Sequence, residues 1–568
     1  MDFEDRLTME PRGAANQNIA FGARFLDLFR EQEWHYAPDL SATVPGSPGF
    51  AHHPLRRRIV YGVTSLVIGL TCGLSNALLS ANLPYLRGAL GLETYEIAWL
   101  PTVYAIMNCL GGGLLFKYRQ QFGARSFAVT FLLLQLAVIA AHLLVRELGS
   151  AIMVRAASGL SATALTTLCI YYMLQAFPLQ HRPRAIILGV AIPQLGIPLA
   201  RLLPLDALAL NKWQGLYLLE FGLSALCLAC VLSFRLPPSI KQRVFEYRDF
   251  VSMAFYSLAV ACFGAAIGMG PYLWWWDRDW IGWCLAACLP LFAISMILEA
   301  RRRAPLIDIR WLTGGELVRL AIVLIMTRMV LSEQATGAIG FLRLFGLVNE
   351  NFFDLSLVIV ICAFVGPVAA AILIKPDRIP AMVMVALLLV ATGSYLDSYS
   401  SNLTRASQFF FTQGLIAFAT TFFIGPALLY GVAQVLATGG QKLSSFLIMF
   451  SITQSMGSLV GNALVQTAQI LYEHYHSARL VTFVSKLNPL VDTRVASAAA
   501  AHLPIMSDPA QRTGVAIQSI AQQTSIEASI LAFNDTFRLV SLIALLTAAC
   551  IAGLLVCRIV IFKNGKPQ

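Results

Sequence analysis

The chain has 568 residues, 57% hydrophobic and only 12% charged, with a formal net charge of +11, a pI of about 9.2 and a mean hydropathy of +0.69. Such a composition excludes an ordinary water-soluble enzyme. The absence of period-two alternation excludes a barrel, which leaves spanning helices that satisfy their own backbone groups. The excess of Lys and Arg fits cytoplasmic loops of a membrane protein, and without interleaved aromatic and basic residues it does not point to nucleic acid.

Residues 1–58 are polar and lack an apolar core after a basic start, so they read as a cytoplasmic tail and not a cleavable signal. Within it Ile19–Phe29 reads as a short amphipathic helix, and the tail ends at Arg56, Arg57 and Arg58. About fourteen apolar stretches follow, starting near Ile59, Ile97, Ser126, Ser150, Ala185, Gln214, Phe250, Ile281, Leu317, Leu355, Ile379, Gln408, Leu443 and Ile530. With the tail inside, the inner gaps hold Lys117, Arg119 and Arg125; Arg182 and Arg184; Arg235, Lys241, Arg243 and Arg248; Arg301, Arg302, Arg303 and Arg310; Lys375 and Arg378; Lys442; and Arg558, Lys563 and Lys566. The outer gaps hold acids instead: Glu93, Glu96, Glu147, Asp206, Asp277, Asp279, Glu350 and Asp354. That alternation predicts an even number of helices and two cytoplasmic termini. The long outer insertion, 473–529, reads as short helices with polar faces.

The eleven cysteines sit in apolar stretches, so no disulfide framework is predicted, and Cys227 and Cys230 read as packing residues on one helix. His142 also reads as packing, and His474 with His476 lacks a third metal ligand. The run Trp274, Trp275, Trp276 with Trp280 reads as an interfacial aromatic belt. No phosphate-binding loop is present, so ATP-driven transport is disfavoured; no cofactor or metal is predicted.

A set of motifs now falls in order along the chain. ANLPYLRGALG spans Ala81–Gly91; WLPTVYAIMNCLGG carries Trp99, Tyr104 and Asn108; VRAASGL carries Arg155 and Gly159; PQLGIPLARLL carries Pro193 and Gly196. Asp249 opens the seventh stretch, APLIDIRWL places Asp308 before the ninth, Gln413–Gly414 lies in the twelfth, and NDTFRL (Asn534–Leu539) in the last. Together they resemble the major facilitator superfamily, in particular the fourteen-helix drug:proton antiporters of the EmrB/QacA type. The resemblance implies an all-α membrane protein: a six-helix bundle over 59–235, two inserted helices over 249–300, and a second six-helix bundle over 317–562. It also implies a site between bundles worked by alternating access, and a periplasmic adaptor and outer-membrane channel as partners. The chain departs from that pattern at Ser75, where the first helix of the family carries an acid, at Gln120, and at Ala200–Arg201 in the antiporter motif.

Ionisable groups inside spans cost about 2.5–3.5 kcal/mol each on insertion scales and therefore mark function. They are Arg155, Arg201, Glu220, Arg328 and Glu333. Counting helix rise places Arg155, Arg201 and Glu220 in one layer near the outer surface, where Glu220 is expected to pair with Arg155 or Arg201. Arg328 and Glu333 are placed nearer the middle, on different faces, and Glu333 is the candidate coupling acid in place of Ser75. The remaining polar pore candidates are Asn76, Asn108, Gln413 and Gln454. The predicted function is proton-coupled efflux of an amphipathic organic compound from a multi-pass protein of the cell (inner) membrane, with lipid, protons and the small substrate as partners. Two alternatives stand beside it: a transporter fold used as a sensor or scaffold, and an uncoupled or organic-anion transporter.

Overall fold

The computed structural model describes residues 46–49, 53–145, 147–203, 214–302, 305–438, 440, 442–484 and 488–564, with the side chains of 214 and 558–564 excepted. The expected helix at 19–29, Asp206, Arg303 and Lys566 lie outside the described residues, as do the side chains of Arg558 and Lys563.

Each apolar stretch forms a helix because a backbone in hydrocarbon can bond only along its own axis. In chain order the long helices are α1 (Leu55–Ala81), α2 (Thr94–Phe122), α3 (Ala124–His142), α4 (Leu148–Ala176), α5 (Leu179–Leu202), α6 (Gln214–Ser233) and α7 (Tyr247–Leu273). They continue as α8 (Asp279–Ala300), α9 (Gly315–Val330), α10 (Phe353–Leu373), α11 (Ile379–Asp397), α12 (Phe410–Ala437), α13 (Leu443–Val481) and α14 (Pro509–Asn564). Thirteen of the described helices are long and apolar enough to cross a membrane. The ninth is interrupted: after Val330 comes a π-helical turn, Glu333–Ala338, and then Ile339–Arg343.

Two boundaries differ from those expected. Helix α1 begins at Leu55, so Arg56, Arg57 and Arg58 form its first turn instead of closing a tail. The outer insertion is built mainly by α13 and α14 themselves, which run on past the apolar segment, with one separate helix, Pro489–Ala501, between them.

The helices alternate in direction. Arg58 Nε bonds Ala176 O (2.9 Å) and Arg125 Nε bonds Leu236 O (2.7 Å) at the face that carries the Lys and Arg clusters. We call this the basic face and the opposite one the acidic face. Starts on the acidic face carry acidic caps: Glu93 N donates to Glu96 Oε2 (2.8 Å) at α2, and Glu147 N to Ser150 Oγ (3.3 Å) at α4. Carboxylates favour helix N-termini.

Helix α1 packs on α4, α5 and α6, α2 on α4, and α3 on α4 and α6. The arrangement recurs as α9 on α13 and α14, α10 on α12, and α11 on α12 and α14. The two halves meet through α2 on α13 and α5 on α10, and α7, paired with α8, covers the α2–α13 seam. Glycines allow the closest crossings. A Cβ on Gly159 of α4 would strike the Tyr104 carbonyl of α2, and one on Gly196 of α5 would enter the backbone at Gly73 of α1. Large apolar side chains point outward, including Trp283 and Leu289 on α8 and Ile361 and Phe364 on α10, as a lipid-facing surface requires.

Candidate functional site

In the first bundle a polar network forms around Gln135, the lone amide in the apolar run of α3. Its Nε2 donates to Ser75 Oγ (3.1 Å) and to Glu220 Oε1 (3.3 Å), and its Oε1 accepts from Ser161 Oγ. Arg155 Nη2 donates to Asn76 Oδ1 (2.8 Å) and Nη1 to Ser75 O (3.3 Å), with the guanidinium 4.6 Å from the Tyr104 ring centroid.

Arg155 and Glu220 thus share the predicted layer, both gathered at Ser75. The expected ion pair is corrected: among the described residues no Lys or Arg nitrogen lies within 4.0 Å of Glu220. Arg155 is taken up by the α1 backbone, Asn76 and the Tyr104 ring, so its donors do not reach across to α6. Arg201 sits in the last turn of α5 with Nε buried and no hydrogen-bond partner among the described residues. The charge that acts on it is that of another arginine, Arg343.

The second bundle holds a carboxyl pair. Gln413 Nε2 donates to Asp397 Oδ2 (2.8 Å) and to Glu333 Oε1 (3.2 Å) and Oε2 (3.5 Å). Glu333 is 1% exposed and Asp397 4%, and neither forms an ion pair with a described residue. The π turn begins at Glu333 and turns it toward α12, and such turns often sit at functional positions. Its depth is corrected: Asp397 is the last residue of α11 and Gln413 stands in the first turn of α12, so the group lies nearer the acidic face than the midplane.

Three of the four predicted amides join helices. Asn76 receives Arg155. Asn108 Nδ2 donates to Gly159 O (3.4 Å), while its Oδ1 accepts from Ser455 Oγ (3.0 Å) across the two bundles. Gln413 bridges the carboxyl pair. Gln454 is different: its Oε1 and Nε2 are both buried without a partner, as is Arg328 Nε.

The motif residues are structural in this arrangement. Gly159, Gly196 and Pro193 set close crossings; the Pro193 carbonyl stands where a Gly73 side chain would go. Asp249 accepts from Lys117 Nζ (2.5 Å) and Arg302 Nη1 (2.5 Å), and Arg302 also reaches Glu299 (2.9 Å) and Glu246 (2.9 Å). Glu299 accepts in turn from the backbone of Leu306 (2.6 Å) and Ile307 (3.3 Å). Burial works against the charge of Arg302, yet bonds from Asp249, Glu246 and Glu299 hold it protonated more firmly than an ordinary arginine. Asp308 accepts from Trp311 N (3.1 Å) and pairs with Lys442 (3.5 Å). His142 packs on Tyr217, their ring centroids 4.7 Å apart.

Asp397, Gln135 and Glu299 were not singled out from the sequence. Asp397 closes an apolar stretch and reads as an interfacial acid. Gln135 differs from its neighbours only by being polar, which is the signal that finds it.

Two repeated helix bundles with an inserted pair define a major facilitator fold. In fold the chain is similar to tetrameric PepTSo2, at 10% identity, covering 88% of this chain and 99% of that one, with a TM-score of 0.53. It is also similar to a bacterial homologue of the human drug peptide transporters PepT1 and PepT2, at 11% identity over 88% and 99% of the two chains, with a TM-score of 0.51. The proton:xylose symporter XylE bound to 6-bromo-6-deoxy-D-glucose aligns at 11% identity over 86% and 95%, with a TM-score of 0.45. No protein-family model and no curated protein matches the chain.

Proposed function

We propose that the chain is a secondary transporter that moves a small amphipathic organic compound outward in exchange for protons. One observation carries this reading: Glu333 and Asp397 are buried on a single neutral amide, with no cation among the described residues bonded to either. Two carboxyl groups in one low-dielectric site cannot both be ionised, so the pair retains a proton unless water or a cation reaches it. Alternating access supplies that change, because opening the acidic face hydrates the pair and closing it dehydrates it. The basic face is then cytoplasmic and the membrane is the cell (inner) membrane.

Purified protein in proteoliposomes, with an imposed proton gradient and a fluorescent proton indicator, tests the reading. Wild type is expected to show substrate-dependent proton flux. Glu333→Gln and Asp397→Asn should each cut that flux by about tenfold or more while leaving the fold and substrate binding intact, since an amide keeps the shape but cannot cycle a proton. Wild-type flux in the double variant would reject the assignment. In the sensor or scaffold reading, motivated by Ser75, Gln120 and Arg201, no variant of any embedded charge alters transport, because there is none.

The hairpin formed by the ends of α13 and α14 is the proposed dock for a periplasmic adaptor. It presents Phe483, Leu490 and Ile505 to solvent. Deleting 486–523 should abolish co-purification of the adaptor and leave the bundles folded; unchanged co-purification rejects docking there.

A further inference from the structure

The seam between α9 and α13 holds polar atoms that no described residue satisfies. Arg328 of α9 lies against Gly457 of α13, where an added Cβ would stand 3.2 Å from Arg328 Cβ and 3.4 Å from its Cγ. Gln454 is three residues before Gly457 on the same face of α13. Among the described residues Arg328 makes no hydrogen bond or ion pair, and neither polar atom of Gln454 has a partner.

The rest of the seam is complete. Ser332 Oγ donates to Ser458 O (3.4 Å) and Thr336 Oγ1 to Asn462 Oδ1 (2.9 Å). On the other side of Gln454, Ser451 and Ser455 bond Asn108 and Cys109 of α2, so an occupant beside Gln454 is next to both bundles. Counting from the basic-face ends of α9 and α13, Arg328 and Gln454 lie about 20 Å and about 17 Å into the membrane, near the middle of its ~30 Å core.

An arginine cannot shed its proton, so an anion answers both its charge and its free donors. One guanidinium beside one amide matches the two oxygens of a carboxylate; a phosphate dianion calls for more donors than these two groups offer. We propose that Arg328 and Gln454 form the midplane recognition site for the carboxylate of an organic acid. The Arg328 guanidinium takes the charge and the Gln454 Nε2 donates to the second oxygen. This rests on the transporter reading and narrows its substrate to an acid.

Equilibrium binding to the full chain in lipid nanodiscs tests the site without requiring transport. The probes are acetate, benzoate and 2-naphthoate, each beside its own primary amide, with benzyltrimethylammonium as the cationic control. At least one acid should bind more tightly than its amide and the cation. Arg328→Gln should weaken that acid by about tenfold or more and Arg328→Lys by less, because lysine keeps the charge but not the fork. Gln454→Leu should weaken it about threefold or more. The assignment is overturned if no acid outbinds its amide, or if Arg328→Gln stays within about twofold of wild type. Should Arg328→Gln not fold, Gln454→Leu decides on the same twofold bound. Acid binding that depends on Arg328 without any proton flux overturns the antiport reading and leaves this site standing.

Discussion

Glu220 brings to the neighbourhood of Ser75 the carboxyl group that α1 does not carry, and Gln135 joins the two. Gln135 and Gln454 are both amides in apolar helices, yet they should respond oppositely to the same substitution. Gln135→Leu takes the donor from Glu220 and leaves Ser161 only Ser158 O, so thermal unfolding should show a loss of about 1–3 kcal/mol, the cost of an unsatisfied buried group. Gln454→Leu removes two buried atoms that have no partner, so the ligand-free protein should be as stable as wild type or more so. A large loss in Gln454→Leu would mean that the amide is satisfied within the chain. At this scale the shared depth of Arg155 and Glu220 was legible in the sequence, because helical rise is fixed; the depth of Glu333 was not, since Asp397 and Gln413 place it nearer the acidic face. Partner choice was not, because it depends on which acceptor lies first in reach of a long side chain, and Ser75 O and Asn76 intercept Arg155 before Glu220 does. Asp397 escaped notice for a related reason. A carboxylate at the end of an apolar stretch looks solvated until a neighbouring helix is seen to cover it.

Among the elements, the inserted pair α7–α8 is tied down at the basic face by Lys117, Asp249, Arg302, Glu299 and the Leu306–Ile307 backbone. Asp249 receives two cations while almost fully buried, so Asp249→Asn leaves both without their shared counter-charge. A loss of about 3–5 kcal/mol is expected, the usual consequence of removing one side of a buried ion pair, and chemical denaturation of the purified protein measures it. A loss below about 1 kcal/mol would place the group in solvent, where ion pairs contribute that little. The existence and order of the helices were legible from hydropathy and charge. The break in α9 was not, since a π turn needs no residue that a straight helix forbids. The outer hairpin was misjudged because an amphipathic period looks the same in a separate short helix and in the extension of a spanning one. Acids at the acidic face also have two causes that the sequence alone merges: topology, and the capping of helices that begin there.

At the scale of the molecule, alternating access requires contacts between bundles that form on one face and break on the other. On the acidic face Asn349 Nδ2 donates to Ala81 O (3.1 Å) and Asn82 Oδ1 (2.8 Å), and Arg343 Nη2 reaches Ala81 O (3.4 Å), all between the two bundles. The carboxyl pair of Glu333 and Asp397 lies on this side, so parting Asn82 from Asn349 is the step that would admit water to it. Cysteines at 82 and 349, joined by a short bis-methanethiosulfonate linker, should therefore arrest transport, and a reductant should restore it. The experiment needs a background without the eleven native cysteines, of which Cys550 and Cys557 are exposed and would react first. Three hydrogen bonds of about 1 kcal/mol each bias the closed face by only about 160-fold, which thermal motion reverses readily; a covalent link removes that freedom altogether. Transport that proceeds unchanged with the linker in place would show that this face does not open during the cycle, and the proton path to Glu333 would then have to run from the basic face.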